Sequence, residues 1–149
     1  MWIGGGTEAA IRRTARYGTG WQAGAELPAE AGRIVAAIKA AAAEIGRTID
    51  GDHYGAAFPF YFGDRESAVM SGAMAAYARR MGRDPTNYFA VGDAATIVSR
   101  IAEYVAVGVE KFILRPVGPD GETVIAQTRR LIDEVLPQVS TRWPKRGNS

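Results

Sequence analysis

The sequence predicts an α/β fold in which parallel strands alternate with helices. Strand-like and helix-like segments alternate at least three times along the chain, and this alternation favours a parallel sheet with right-handed crossovers. The run 54–62 is almost continuously apolar and aromatic, which is typical of a strand covered on both faces. An open doubly wound sheet and a (β/α)8 barrel both show this alternation. Because a barrel typically requires ~250 residues, the chain would form about half of one.

Short apolar segments mark the remaining strands. Trp2 and Ile3 form a strand stub, and residues 20–23 and 111–116 are two further strand candidates. The segment 88–91 is short and ambiguous. The strand candidates are followed by helical patterns, as βα units require.

The predicted helices have apolar residues at helical spacing and recognisable ends. Asp64 is predicted to cap the third helix, and Pro137 is predicted to end the last one. In chain order we expect a helix up to Tyr17, one from Pro28 to about Ile45, one over 65–81, one from Asp93 to Gly108 and one over 122–135.

Composition and charge place the chain among ordinary globular proteins. It is 47% hydrophobic, has a formal net charge of +2 and contains no cysteine. A charge this close to neutrality does not predict a nucleic-acid partner, and without cysteine there are no disulfides, thiol nucleophiles or thiolate metal sites. No apolar stretch approaches the ~20 residues of a membrane-spanning helix. We therefore expect a soluble, cytoplasmic single domain over residues 1–149, with no membrane partner and with a disordered basic tail over 138–149.

A glycine-rich turn joins the first strand to the first helix. Gly4, Gly5 and Gly6 are followed by Thr7 and the helix. Glycines let backbone N–H groups approach a ligand closely, and the positive end of a helix attracts anions. The turn therefore predicts a phosphate-binding site formed by Gly4, Gly5, Gly6 and Thr7.

Two other interpretations of this turn remain open. It can be an ordinary strand-to-helix turn in which Thr7 only caps its own helix. Gly4, Gly6 and Ala9 also fit a relaxed dinucleotide-binding fingerprint, with Glu26 about twenty residues further on as the ribose partner. That second alternative predicts a Rossmann-like module.

Few other side chains suggest chemistry. Arg115 lies near the carboxyl end of a predicted strand, where an arginine can hold a phosphate or an anionic substrate, or can pair with a neighbouring carboxylate. Arg12 and Arg13 are interpreted as surface residues. His53 is the only histidine and enters its strand at the amino end, so we assign it a structural role and predict no metal site. No residue pattern identifies a catalytic residue.

Several segments resemble one enzyme family. Residues 2–13 read WIGGGTEAAIRR, and residues 15–21 read ARYGTGW. Residues 42–47 read AAEIGR, and Val91-Gly92-Asp93 is followed by GVEKFILRP over residues 108–116. In this order the segments resemble luciferase-like flavin or deazaflavin oxidoreductases. Thr19 departs from the pattern, because many relatives carry an acidic residue there.

The resemblance implies the C-terminal half of a (β/α)8 TIM barrel, about its last four βα units. It implies either FMN or the deazaflavin coenzyme F-420 as the cofactor, with its phosphate at the Gly4–Thr7 turn. The implied reactions are flavin-dependent monooxygenation or hydride transfer with a small-molecule substrate. In the family the N-terminal half supplies much of the cofactor pocket and most substrate contacts, and this sequence does not match it.

A second function also agrees with the sequence. A half-barrel leaves sheet edges and an apolar face uncovered, which favours association with another copy. The chain is then a non-catalytic half-barrel that forms a homo-oligomer, so the sequence leaves enzymatic activity open.

Overall fold

The computed structural model describes residues 1–144 and has the predicted α/β class. In chain order the elements are β1 (Trp2–Gly4), α1 (Glu8–Tyr17), β2 (Gly20–Ala23), α2 (Pro28–Glu44), a 3-10 turn (Gly51–His53), β3 (Tyr54–Phe62), α3 (Ala68–Met81), β4 (Ala90–Gly92), α4 (Ala94–Val105), β5 (Lys111–Pro116), α5 (Gly121–Arg130), a π turn (Leu131–Val135) and α6 (Leu136–Arg142). None of the helices within these residues is both long and apolar enough to cross a membrane.

The chain divides into two compact units. Among the described residues, the first unit contains residues 1–58 and 101–114, and the second contains residues 59–100 and 115–144. The single domain over 1–149 stays a prediction.

The first unit is a parallel arrangement of strands with α1 and α2 packed together. Ile3 of β1 lies opposite Trp21 of β2, and Trp21 lies opposite Tyr54 of β3. The Glu110 N–H, just before β5, donates to the Tyr54 carbonyl at 2.9 Å. The largest fully buried side chains of this unit are those of Trp21, Tyr54, Phe58, Tyr104 and Ile38. Their burial supplies the hydrophobic stabilisation that orders the short strands around them.

The second unit contains the later half of β3, which pairs in parallel with β4 through Phe60 and Ala90. The buried side-chain amide of Gln127 accepts from the Phe62 N–H at 2.7 Å and donates to the Phe62 carbonyl at 3.2 Å. A polar side chain buried in this way is stable because both of its functions have partners. Gln127 therefore ties α5 to the end of β3.

The structure corrects the start of α3. The helix begins at Ala68, and its N-cap is Ser67, whose hydroxyl accepts from the Met70 N–H at 3.3 Å. Asp64 instead accepts from the Glu66 N–H at 3.0 Å. This short aspartate turn competes locally with helix formation, so the prediction of an Asp64 cap is wrong.

The C-terminal segment also differs from the prediction. The Leu136 N–H donates to the Leu131 carbonyl, five residues back, and this π turn starts a new helix at Leu136. Pro137 then lies in the first turn of α6, where a missing N–H costs no hydrogen bond. Pro137 therefore does not end the helical segment, and residues 138–142 of the expected disordered tail are helical. Residues 145–149 of that tail lie outside the described residues.

Candidate functional site

The glycine turn is fixed from two sides. Gly5 has a φ of +95°, a conformation that L side chains rarely adopt. A Cβ atom at Gly6 would lie 2.6 Å from Cδ1 of Ile34 on α2, so a side chain there would require the end of Ile34 to move. The buried Trp21 side chain donates from Nε1 to the Gly5 carbonyl at 3.1 Å. The turn is therefore held in one conformation before any ligand binds.

Thr7 is the N-cap of α1. Its hydroxyl accepts from the Ala10 N–H at 3.3 Å. Gly4, Gly6 and Thr7 are exposed, and the N–H groups of the first helical turn have no partners within the helix. The capping interpretation of Thr7 thus describes the structure, and the exposed turn still presents backbone donors and the positive end of α1 to solvent.

Two carboxylates stand near this turn. Glu8 forms an ion pair with Arg12 one helical turn later. The Glu26 carboxylate oxygen Oε2 accepts from the N–H groups of Gly24 and Ala25, at 2.7 and 3.1 Å. The other oxygen, Oε1, would lie 3.8 Å from a Cβ atom added to Gly6. The predicted anion site is therefore bordered by a carboxylate.

Arg115 has a partner that the sequence did not suggest. In the second unit its Nη2 donates to the hydroxyl of Tyr88, and its guanidinium carbon lies 5.8 Å from the centre of the Tyr88 ring. The Tyr88 ring in turn stacks on Tyr77, with centroids 4.4 Å apart. Arg115 is exposed and belongs to a different unit from the Gly4–Thr7 turn, so its role in binding an anion stays a prediction.

His53 lies in a cluster of candidate ligands. Ligand atoms of Asp50, Asp52 and His53 all lie within 4.8 Å of one another. Lys111 Nζ lies 3.1 Å from Asp52 Oδ2, and this hydrogen bond lowers the pKa of the Asp52 carboxyl below its usual value. An ammonium group therefore already pairs with one of the two carboxylates of this cluster. The close spacing of the acidic residues and the histidine, DGDH over 50–53, is the signal that could have identified it.

The first unit also has an open apolar cavity of about 660 Å³, lined by Trp2, Gln22, Glu110, Lys111, Phe112 and Ile113. Trp2 is 38% exposed and Ile113 is 56% exposed. Ile113 alternates along β5 with the less exposed Phe112 and Leu114. One face of β5 is thus open to solvent instead of covered on both sides.

Comparison with known proteins identifies the family. The family model described as luciferase-like monooxygenase matches residues 1–90. No curated protein sequence matches the chain.

Solved structures share the fold at low sequence identity. The coenzyme F-420-dependent tetrahydromethanopterin reductase from Methanopyrus kandleri is 20% identical, with a TM-score of 0.67 over 92% of this chain and 50% of that chain. An F-420-dependent secondary alcohol dehydrogenase, in complex with an F-420–acetone adduct, is 16% identical, with a TM-score of 0.69 over 90% of this chain and 47% of that one. A third solved structure is the oxygenating constituent of 3,6-diketocamphane monooxygenase from the CAM plasmid of Pseudomonas putida, in complex with FMN. It is 17% identical to this chain, with a TM-score of 0.65 over 92% of this chain and 47% of that one.

These matches decide between the sequence interpretations of the fold. The chain spans about half the length of these solved relatives, as expected for half of a TIM barrel. The Rossmann-like alternative is not supported, because β4 pairs with β3, whereas the fourth strand of a Rossmann fold returns to pair with the first. The predicted resemblance is confirmed by the model that matches residues 1–90. The chain belongs to the luciferase-like monooxygenase family.

Proposed function

We propose that this chain is part of a flavin-type oxidoreductase and that the Gly4–Thr7 turn binds the phosphate of FMN or coenzyme F-420. The observation that carries the proposal is the exposed glycine turn at the start of α1, held by Trp21. It lies within the segment that matches the family model. Solved relatives with the same fold are named for F-420 or contain FMN.

The chain itself would contribute binding and orientation. Backbone N–H groups of the turn and of the first turn of α1 would donate to phosphate oxygens, and the Thr7 hydroxyl could donate to one of them while it accepts from Ala10. Gly6 lets the turn lie against Ile34 of α2, since a Cβ there would be 2.6 Å from Cδ1 of Ile34. When bound, the cofactor would supply hydride transfer or oxygenation chemistry. A phosphate fixed at this turn would fix one end of the cofactor.

Direct titration tests this proposal. We expect FMN or coenzyme F-420 to bind the purified chain saturably, and cofactor fluorescence measures this binding. Gly5→Ala should weaken binding at least about tenfold, since a side chain at a positive φ strains the turn that presents the donors. Gly46→Ala is the matched control: Gly46 also has a positive φ, +68°, and has nothing within 4 Å of its added Cβ.

The two variants separate binding from backbone strain. Weaker cofactor binding in Gly5→Ala, with wild-type binding in Gly46→Ala, supports the phosphate site. Equal affinities in the wild type and both variants would overturn it. Saturable binding of neither cofactor to a chain with native helix content would overturn the proposal as a whole.

A second candidate function is self-association of a non-catalytic half-barrel. The open cavity beside Trp2 and the exposed Ile113 favour it, because contiguous apolar surface of this kind marks interaction sites. Light scattering after size-exclusion chromatography should then give a dimer for the wild type and a monomer for Ile113→Glu. Ile45→Glu is the control, since Ile45 is equally exposed at 52% but lies at the end of α2. A monomeric wild type at all concentrations would contradict this candidate.

A further inference from the structure

The position of the Glu26 carboxylate beside the glycine turn is fixed by the fold. The buried Tyr104 hydroxyl donates to the Glu26 backbone carbonyl at 2.8 Å. Tyr104 is itself stacked on Phe58, with ring centroids 5.7 Å apart. The side chain is fixed as well, because Oε2 accepts from both Gly24 and Ala25. Glu26 therefore cannot move its charge away without losing two hydrogen bonds.

The other oxygen of this carboxylate lies next to the glycine turn that forms the proposed phosphate site. Oε1 lies 3.8 Å from the Cβ position at Gly6, whereas the hydrogen bonds of the side chain use Oε2. Arg12 on α1 is already paired with Glu8. The donors of the turn are neutral backbone N–H groups. An anion at the turn thus gains from the helix end and is repelled by Glu26.

We propose that Glu26 makes this turn select its phosphate by charge, so that it accepts a singly charged phosphodiester in preference to a doubly charged phosphate monoester. This inference rests on the proposed function. A phosphate monoester loses its second proton near pH 6 and carries close to two charges at neutral pH, while a diester keeps one. Each additional charge beside a fixed carboxylate is repelled at short range, by about tenfold in affinity in a partly screened site.

Charge selection at this turn would separate FMN from coenzyme F-420. FMN ends in a phosphate monoester, and coenzyme F-420 carries its phosphate as a diester. Charge selection at Glu26 therefore favours the deazaflavin. It also predicts that the preference follows the charge of the phosphate and not the ring system.

A matched pair of ligands isolates the charge. FMN and the methyl ester of its phosphate share one ring and one ribityl chain but differ by one negative charge. Their dissociation constants are measured with the wild type and with Glu26→Gln. The glutamine oxygen keeps both backbone hydrogen bonds, and the amide nitrogen replaces the oxygen that faces Gly6. The control Glu44→Gln removes the same charge at the far end of α2, about 24 Å from its start, beyond the range of screened electrostatics.

The expected result is a preference of the wild type for the methyl ester that falls about tenfold in Glu26→Gln and is unchanged in Glu44→Gln. An unchanged preference in Glu26→Gln, with binding that remains saturable and sensitive to Gly5→Ala, would overturn the charge selection and leave the phosphate site standing. Failure of the wild type to bind either ligand would overturn the proposed function, and the selection with it.

Discussion

Two strand-to-helix turns of this chain differ in the charge of the helix cap. At the β1–α1 turn the cap is the neutral hydroxyl of Thr7. At the β5–α5 turn the cap is the Asp120 carboxylate, which accepts from the Thr123 N–H at 2.7 Å. That hydrogen bond holds the pKa of Asp120 below its ordinary value. Asp93 is bound in the same way by the Thr96 N–H, at 2.9 Å.

The difference concerns how much negative charge the chain itself places at each helix end. An aspartate cap places its own negative charge at the positive end of the helix and so occupies the position that a phosphate would take. A threonine cap satisfies one N–H group and adds no charge. The glycines before Thr7 make the same turn accessible. Under the proposed function, glycine content and cap charge together would distinguish an anion-binding turn from a structural one.

The largest expected effect concerns the support of the β1–α1 turn. Trp21→Ala removes a fully buried side chain and its bond to the Gly5 carbonyl, and should lower the free energy of unfolding by about 3–5 kcal/mol. Trp21→Phe keeps most of the packing and should cost about 1 kcal/mol through the lost hydrogen bond. Urea denaturation measures both. A Trp21→Phe protein as stable as the wild type would show that Trp21 acts by packing alone.

A smaller effect is expected from the neutral cap itself. Thr7→Ala removes the hydroxyl that accepts from Ala10, and should lower the free energy of unfolding by about 1 kcal/mol. Thr7→Ser keeps the acceptor and should stay close to the wild type. Urea denaturation of the three proteins side by side tests this. Wild-type stability in Thr7→Ala would mean that Thr7 does not cap α1 in solution.

The smallest effect is the pH dependence of the acidic cap. Because the pKa of Asp120 is lowered in the folded state from an ordinary 3.8, its carboxylate stabilises the fold above that value. The contribution is lost as the pH falls through the lowered folded pKa. Asn caps a helix as well as Asp does, so Asp120→Asn should match the wild type near pH 7 and lose less stability on acidification. Chemical denaturation between pH 7 and about pH 2 compares the two, and parallel curves would contradict the assignment.

Sequence reasoning located elements whose formation depends on local pattern. Four elements occur as predicted: the strands over 20–23, 54–62 and 111–116 and the helix from Pro28. Each of them depends on an apolar run or a capping residue that lies within the segment itself. The prediction that Pro137 ends the last helix is wrong, because the π turn before it shifts the hydrogen-bond register. The sequence contains no local signal for that shift.

The same distinction between local pattern and long-range contact applies to the candidate site. The Gly4–Thr7 turn depends on backbone conformation, which its glycines reveal. The contact between Arg115 and Tyr88 joins residues 27 positions apart, and the approach of Glu26 to Gly6 depends on how residues 24–26 fold. Partners of side chains distant in sequence become visible only in the structure.

The most direct test of the account converts the neutral cap into an acidic one. Thr7→Asp should keep α1 capped, since aspartate is at least as good an N-cap as threonine, and should weaken binding of FMN and coenzyme F-420 at least about tenfold by repulsion. Ser67→Asp makes the same change at the N-cap of α3 and should leave the dissociation constants unchanged. Wild-type affinity in a well-folded Thr7→Asp protein would contradict the claim that the β1–α1 turn binds the cofactor phosphate.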